Sequence, residues 1–139
     1  MSKRLFVAMA AVMLAFAGCT GSGSAGSGAA QTGSVVTIAD AASIIGSYSV
    51  DGTNPDGSKY FGTVDLKPGD AGKVDVSWVI GSSTWAGTGE VTSEGKLLVT
   101  YGGTFSGDGT WSMMSDGKLH GDWQATGTSQ AGKEVWTKQ

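Results

Sequence analysis

From residue 46 to the C-terminus, apolar and aromatic residues alternate with polar ones at a period of two, and the alternation is broken at short intervals by Gly, Asp, Asn, Ser or Pro. Successive side chains point to opposite faces in a strand but not in a helix. The pattern therefore commits this stretch to antiparallel strands joined by tight turns. Strands are predicted at 46–51, 58–66, 73–80, 84–92 and 96–101, at a short segment 103–106, at 110–114 and 118–126 as a hairpin, and at 133–138. Turn chemistry marks Asn54-Pro55-Asp56-Gly57, residues 68–72, Gly81-Ser82-Ser83, Glu94-Gly95, Gly107-Asp108-Gly109, Ser115-Asp116-Gly117 and residues 129–132, where Gly supplies positive φ and Asx side chains bond nearby backbone.

Parity assigns faces. Tyr48, Val50, Tyr60, Gly62, Val64, Leu66, Val74, Val76, Trp78, Ile80, Trp85, Gly87, Gly89, Val91, Leu97, Val99, Tyr101, Leu119, Gly121, Trp123 and Ala125 point one way. The opposite face carries Asp51, Thr63, Asp65, Asp75, Thr88, Glu90, Thr100, His120, Asp122 and Gln124, so it is wet. Consecutive hairpins with one apolar face must bury it, and about eight strands suffice to close a barrel whose lumen side chains fill. The expected fold is all-β: a small antiparallel up-and-down meander closed into a barrel. Before it, residues 35–45 are expected to form one short helix, capped by Thr37, with Ile38, Ile44 and Ile45 facing the domain.

Three hexapeptides, Lys59-Tyr60-Phe61-Gly62-Thr63-Val64, Thr84-Trp85-Ala86-Gly87-Thr88-Gly89 and Lys118-Leu119-His120-Gly121-Asp122-Trp123, place an aromatic residue or Leu two positions before Gly. They resemble MORN-type hairpins. Gly46-Ser47-Tyr48 stands where calycin- and avidin-like barrels carry Gly-x-Trp, and the domain resembles those small barrels. Both resemblances imply architecture and carry no binding residue across, since function lives in sites rather than folds.

The N-terminus has a different logic. Lys3 and Arg4 precede an apolar run over residues 5–16 and then Ala17-Gly18, which is the layout of a secretory signal peptide. The run is too short for a permanent span, which needs about 20 apolar residues. Two cleavage sites compete: Ala15-Phe16-Ala17 satisfies the small-x-small rule and would release a chain beginning at Gly18, while Phe16-Ala17-Gly18-Cys19 resembles the bacterial lipobox. Phe16 departs from that motif, where Leu is usual. Cys19 is the only cysteine, and an ordinary secreted product would carry it unpaired into an oxidising compartment, so lipidation is the favoured reading. The resemblance then implies acylation, palmitate included, of an N-terminal Cys19. Because Thr20 stands where inner-membrane retention uses Asp, it also implies an outer-membrane address. The expected organisation is a signal peptide at 1–18, a lipidated Cys and Gly/Ser-rich linker at 19–34, and a β domain at 35–139. A linker of this composition has a reach of roughly 20–24 Å.

Charge excludes one partner class. The chain has nine basic residues against twelve acidic ones. Loss of Lys3 and of Arg4, the only arginine, leaves seven lysines against the same twelve carboxylates. A domain with no arginine fork and no basic stripe is unsuited to nucleic acid.

Candidate chemistry is sparse. With one histidine and no cysteine the domain cannot build a Cys/His zinc site, and neither a metal nor a cofactor is expected. His120 and Asp122 share a face but it is the wet one, so no catalytic residue is assigned. Asn54 to Gly57 and the glycine-rich stretch around Asp108 only brush against calcium-loop patterns. The aromatic set Tyr48, Tyr60, Trp78, Trp85, Tyr101 and Trp123 is the candidate ligand lining, with core packing as the competing role. The expected function is a membrane-tethered, non-enzymatic barrel module binding a small molecule, a glycan or an envelope protein. The alternatives are an inhibitor or host-contact protein acting through the exposed turns 54–59 and 107–111, and a carboxylate-based hydrolase.

Intact-mass analysis of the protein purified from its own membranes is expected to show an acylated N-terminal Cys19; an unmodified chain beginning at Gly18 would overturn the anchor.

Overall fold

The computed structural model describes residues 33–103 and 105–139; the signal peptide, Cys19 and most of the linker lie outside the described residues. Nine strands follow in chain order: β1 (Val35–Val36), β2 (Gly46–Thr53), β3 (Lys59–Pro68), β4 (Val74–Ile80), β5 (Ser83–Val91), β6 (Leu97–Gly102), β7 (Gly107–Met114), β8 (Leu119–Ala125) and β9 (Ala131–Lys138). From β2 onward each strand pairs antiparallel with the next, and β9 pairs back onto β2 with Val50 opposite Trp136. The fold is a closed eight-stranded up-and-down barrel. Closure leaves no long unpaired edge among these strands. β1 is an extra rung on β7, with Val35 opposite Met114 and Val36 opposite Met113.

The alternation seen in the sequence becomes the inside and outside of the barrel. Tyr48, Val50, Val64, Leu66, Val74, Val76, Trp78, Leu97, Val99, Leu119 and Trp123 are buried in one cluster, joined by Trp111 of β7 and Trp136 of β9.

Two local expectations differ from what forms. Gly107-Asp108-Gly109 is not a turn, since β7 starts at Gly107, and of the expected strand 103–106 the described residues 103, 105 and 106 lie in no strand. The glycines there are needed for space rather than for bending, because a Cβ on Gly107 or Gly109 would strike the Tyr101 or Trp111 ring. The expected helix reduces to a single 3-10 turn, Ala42–Ile44. Asp40 rather than Thr37 supports it, its carboxylate accepting from the Ser43 N–H at 2.9 Å and its carbonyl from the Ser43 hydroxyl at 2.7 Å. Residues 37–45 run from β1 to the start of β2 and are held by contacts to the barrel more than by helical hydrogen bonds of their own.

Those residues form a strap over one end of the barrel. The Ile38 N–H donates to the Gly95 carbonyl in the β5–β6 turn (2.9 Å). Ile38 and Ile44 are buried in the main core, and the Tyr48 hydroxyl donates to the Ile44 carbonyl at 2.7 Å. At the other end lie the β2–β3, β4–β5, β6–β7 and β8–β9 connections, and there the inward side chains of Tyr60, Ile80, Trp85, Tyr101 and Ala125 are only half-buried. The barrel thus has a strapped end and an open end.

The lumen is filled by rings. Trp111 and Trp136 lie 4.5 Å apart between centroids, tilted by 31°. Trp78 meets Trp136 edge-on at 6.0 Å and Tyr101 at 6.2 Å, and Tyr48 closes the series against Trp136 at 6.3 Å. A ring this wide fits a narrow barrel only where the facing strand has no side chain. A Cβ on Gly121 would overlap the Trp111 indole, one on Gly52 the Tyr60 ring, and one on Gly132 the Trp123 indole. Gly121→Ala is expected to cost about 2–3 kcal/mol through overpacking of a core that cannot shift, measured by chemical denaturation; an unchanged midpoint would show that Trp111 can move aside.

Candidate functional site

At the inner limit of the open end sits a residue that the sequence reading did not single out. Glu134 of β9 points inward, on the same parity as Gly132 and Trp136, and is only 5% exposed. It stands opposite Gly52 on β2 and Gly121 on β8. These two glycines flank it with backbone alone, so the carboxylate is met by side chains from further round the barrel. The Tyr60 hydroxyl donates to Oε1 at 2.7 Å, the Trp136 indole N–H to Oε2 at 2.7 Å, and the Trp78 indole N–H to Oε2 at 3.4 Å. The Tyr60 oxygen in turn accepts from the Trp123 N–H at 2.8 Å. Four strands, β3, β4, β8 and β9, are tied together through one carboxylate. Buried polar groups need such partners, and hydrogen bonds to a charged acceptor are the stronger kind.

Burial pushes the Glu134 carboxyl above its usual range, and the hydrogen bonds from Tyr60, Trp136 and Trp78 oppose that shift without cancelling it. Among the described residues no lysine or histidine hydrogen-bonds it or forms an ion pair with it. Burial also raises the Tyr60 hydroxyl, with the Glu134 charge adding to the effect. The Tyr101 hydroxyl is pushed up to about 12 by burial and then by the carboxylates of Asp108 and Glu134. The phenols therefore remain neutral hydrogen-bonding groups around a site of negative potential.

The six aromatic residues proposed as ligand lining separate into two groups. Tyr48 lies at the strapped end, 1% exposed, and serves the core; Trp78 is 6% exposed and holds Glu134 from within. Tyr60, Trp85, Tyr101 and Trp123 gather at the open end, with Trp85 directly across the β4–β5 ladder from Trp78. Tyr101 also donates to the Gln124 carbonyl at 3.2 Å, which fixes its ring over Gly107.

The other candidates resolve into surface or turn structure. Asp122 is outward and pairs with Lys133 at 2.7 Å, opposite it on β9, and His120 lies on the same outer face. The Asn54-Pro55-Asp56-Gly57 oxygens serve their own turn: Asp56 accepts from the Ser58 N–H at 2.9 Å and hydroxyl at 2.6 Å, which holds its carboxyl below the usual range. Of the two contact turns considered, 54–59 is exposed at the open end, whereas 107–111 is strand β7 with Gly107, Gly109 and Trp111 facing inward. Glu134 is the one buried charged residue among those described, so a hydrolytic pair of facing carboxylates is not assembled inside the barrel. Cys19 lies outside the described residues.

The sequence held a signal for Glu134 that was passed over. Gly132, Glu134 and Trp136 alternate with Lys133, Val135 and Thr137. The presence of Trp136 on its parity marks Glu134 as inward.

No protein-family model matches the chain, and no curated protein matches it. Among the solved structures that share its fold are two barrels. A de novo designed fluorescence-activating β-barrel aligns over 68% of this chain and 93% of its own at 18% identity and a TM-score of 0.57. A redesigned β-barrel aligns over 76% and 99% at 18% identity and a TM-score of 0.58.

Glu134 binds its proton more tightly in the folded than in the unfolded chain. The stability this contributes is complete below the unfolded value of about 4.5 and is lost as pH rises through the higher folded value. Glu134→Gln removes the titration. Its melting temperature relative to wild type is expected to climb as pH increases above about 4.5, read by thermal unfolding across pH; parallel curves would show that the folded carboxyl is not raised. Glu134→Ala, which strands buried donors, is expected to cost roughly 3 kcal/mol.

Proposed function

We propose that this chain is an exported, lipid-anchored protein of the cell envelope, favouring the outer membrane, and that its barrel is a non-enzymatic module binding a small ligand at the open end. The observation that carries the binding reading is the asymmetry of the two ends. One is covered by residues 37–45, while the other presents half-buried Tyr60, Ile80, Trp85 and Tyr101 above the hydrogen-bonded Glu134. Small-ligand sites join apolar and aromatic walls to a few fixed polar groups in this way, and barrel mouths are a common place for them. The fold shared with two solved barrels supports a barrel module. The anchor rests on the signal-like segment and Cys19.

One surface feature favours a second reading, contact with an envelope protein. Phe61 is 67% exposed and Val79 45% exposed on the outer wall, and the β3–β4 register makes them diagonal neighbours.

Thermal shift of the barrel against a panel of neutral aromatics, organic cations and small saccharides tests the first reading. A ligand present at a hundred times its Kd stabilises by about 2.7 kcal/mol, a rise on the order of 10 °C for a domain of this size. The rise is expected to vanish in Trp85→Ala and Tyr101→Ala and to survive in Phe61→Ser. A flat response to the whole panel, with capture of an envelope protein that Phe61→Ser abolishes, would replace the ligand reading with the contact reading.

A further inference from the structure

Glu134 and the rings above it make one assembly whose electrostatics is one-sided. Every group hydrogen-bonded to the carboxylate is a donor: the Tyr60 hydroxyl, the Trp136 N–H and the Trp78 N–H. A protonated carboxyl would need an acceptor. The oxygen nearest in the network is that of Tyr60, which also accepts from the Trp123 N–H. The three donors favour the ionised form, and burial opposes it. Burial of an anion with no cation beside it is costly, and here both oxygens are held by neutral donors alone.

No cationic side chain among the described residues faces the lumen at the open end. Asp108 of β7 and Glu134 both act on the Tyr101 hydroxyl. The lysine of the adjoining β2–β3 hairpin, Lys59, is turned to the outer face, where its ammonium donates to the Thr53 hydroxyl at 2.6 Å. Lys133 is likewise outside, on Asp122. The faces of aromatic rings are themselves negative, which is why cages of them hold organic cations.

We infer that the open end takes an organic cation, a small quaternary or primary ammonium, held against Tyr60, Trp85 and Tyr101 with Glu134 as its buried counter-charge. This rests on the open end being a ligand site at all. The contact is through space: the Tyr60 hydroxyl covers the carboxylate, and in a low-dielectric interior the attraction persists across several ångströms. The other elements around Glu134 place no competing charge there. β2 offers Gly52, β8 Gly121 and Trp123, β9 Trp136, β3 Tyr60, β4 Trp78 and β6 Tyr101, whose phenol stays neutral; Asp108 alone adds charge, from the outer face of β7. A bound cation favours the ionised carboxylate. Binding therefore releases a proton from Glu134, and affinity rises as pH rises through the folded-state value of that carboxyl.

The test compares choline with its uncharged carbon isostere, dimethylbutanol, by calorimetry on the wild-type domain. Choline is expected to bind about tenfold more tightly, with affinity increasing with pH and with proton release detected in buffers of different ionisation enthalpy, while the isostere is indifferent to pH. In Glu134→Gln the ratio of the two affinities is expected to fall towards one. Proton release is measured on the unmodified protein, so the inference remains exposed even where the variant folds poorly. Equal or tighter binding of the isostere, or choline binding without proton release, would overturn the cation while leaving a ligand site in place. Failure of both probes while a neutral compound of the wider panel binds would do the same; failure of every compound would remove the ligand site itself.

Discussion

An eight-stranded barrel has a lumen just wide enough for its own side chains to fill. Here the volume is taken up by indole and phenol rings laid flat over glycines of the neighbouring strands. Trp111 lies over Gly121, Tyr60 over Gly52 and Trp123 over Gly132, each where an added Cβ would enter the ring. The 24 glycines of the chain thus include residues placed for reasons unrelated to turns. Without them the rings could not enter.

A lumen filled with indoles brings a second problem, because each indole carries an N–H that must be satisfied in the interior. Glu134 answers it for two at once and for a third through Tyr60: Trp136 and Trp78 donate directly and Trp123 donates to the phenol that donates to the carboxylate. A neutral amide, with one acceptor oxygen, could not accept in all these directions. The acid is thus a structural joint between strands, and the same joint sets a titratable group beneath the open end. Trp111 keeps an N–H with no partner among the described residues.

The two ends differ because of one short segment. Residues 37–45 bring Ile38 and Ile44 into the core and give Tyr48 its acceptor. The rings at that end serve stability, and Tyr60, Trp85 and Tyr101 at the opposite end remain half-exposed. Trp85 and Tyr101 are thereby free to meet a ligand while Tyr48, equally aromatic and equally inward, is not.

Much of this was legible in the residues themselves. Period-two alternation, with turn chemistry between the runs, determined the strands, their inward faces and the closed meander, because a strand's facing follows from local geometry alone. The glycines at 107 and 109 misled, since glycine looks the same whether it turns the chain or makes room for a ring. An acid in a strand such as Glu134 reads as solvated until barrel closure brings Tyr60 and Trp78 to it from distant parts of the chain, to join Trp136 of its own strand. Which aromatic residues are core and which form the mouth was likewise settled only by tertiary structure, because it depends on where the strap crosses, and parity along a strand carries no information about which end of a barrel is covered.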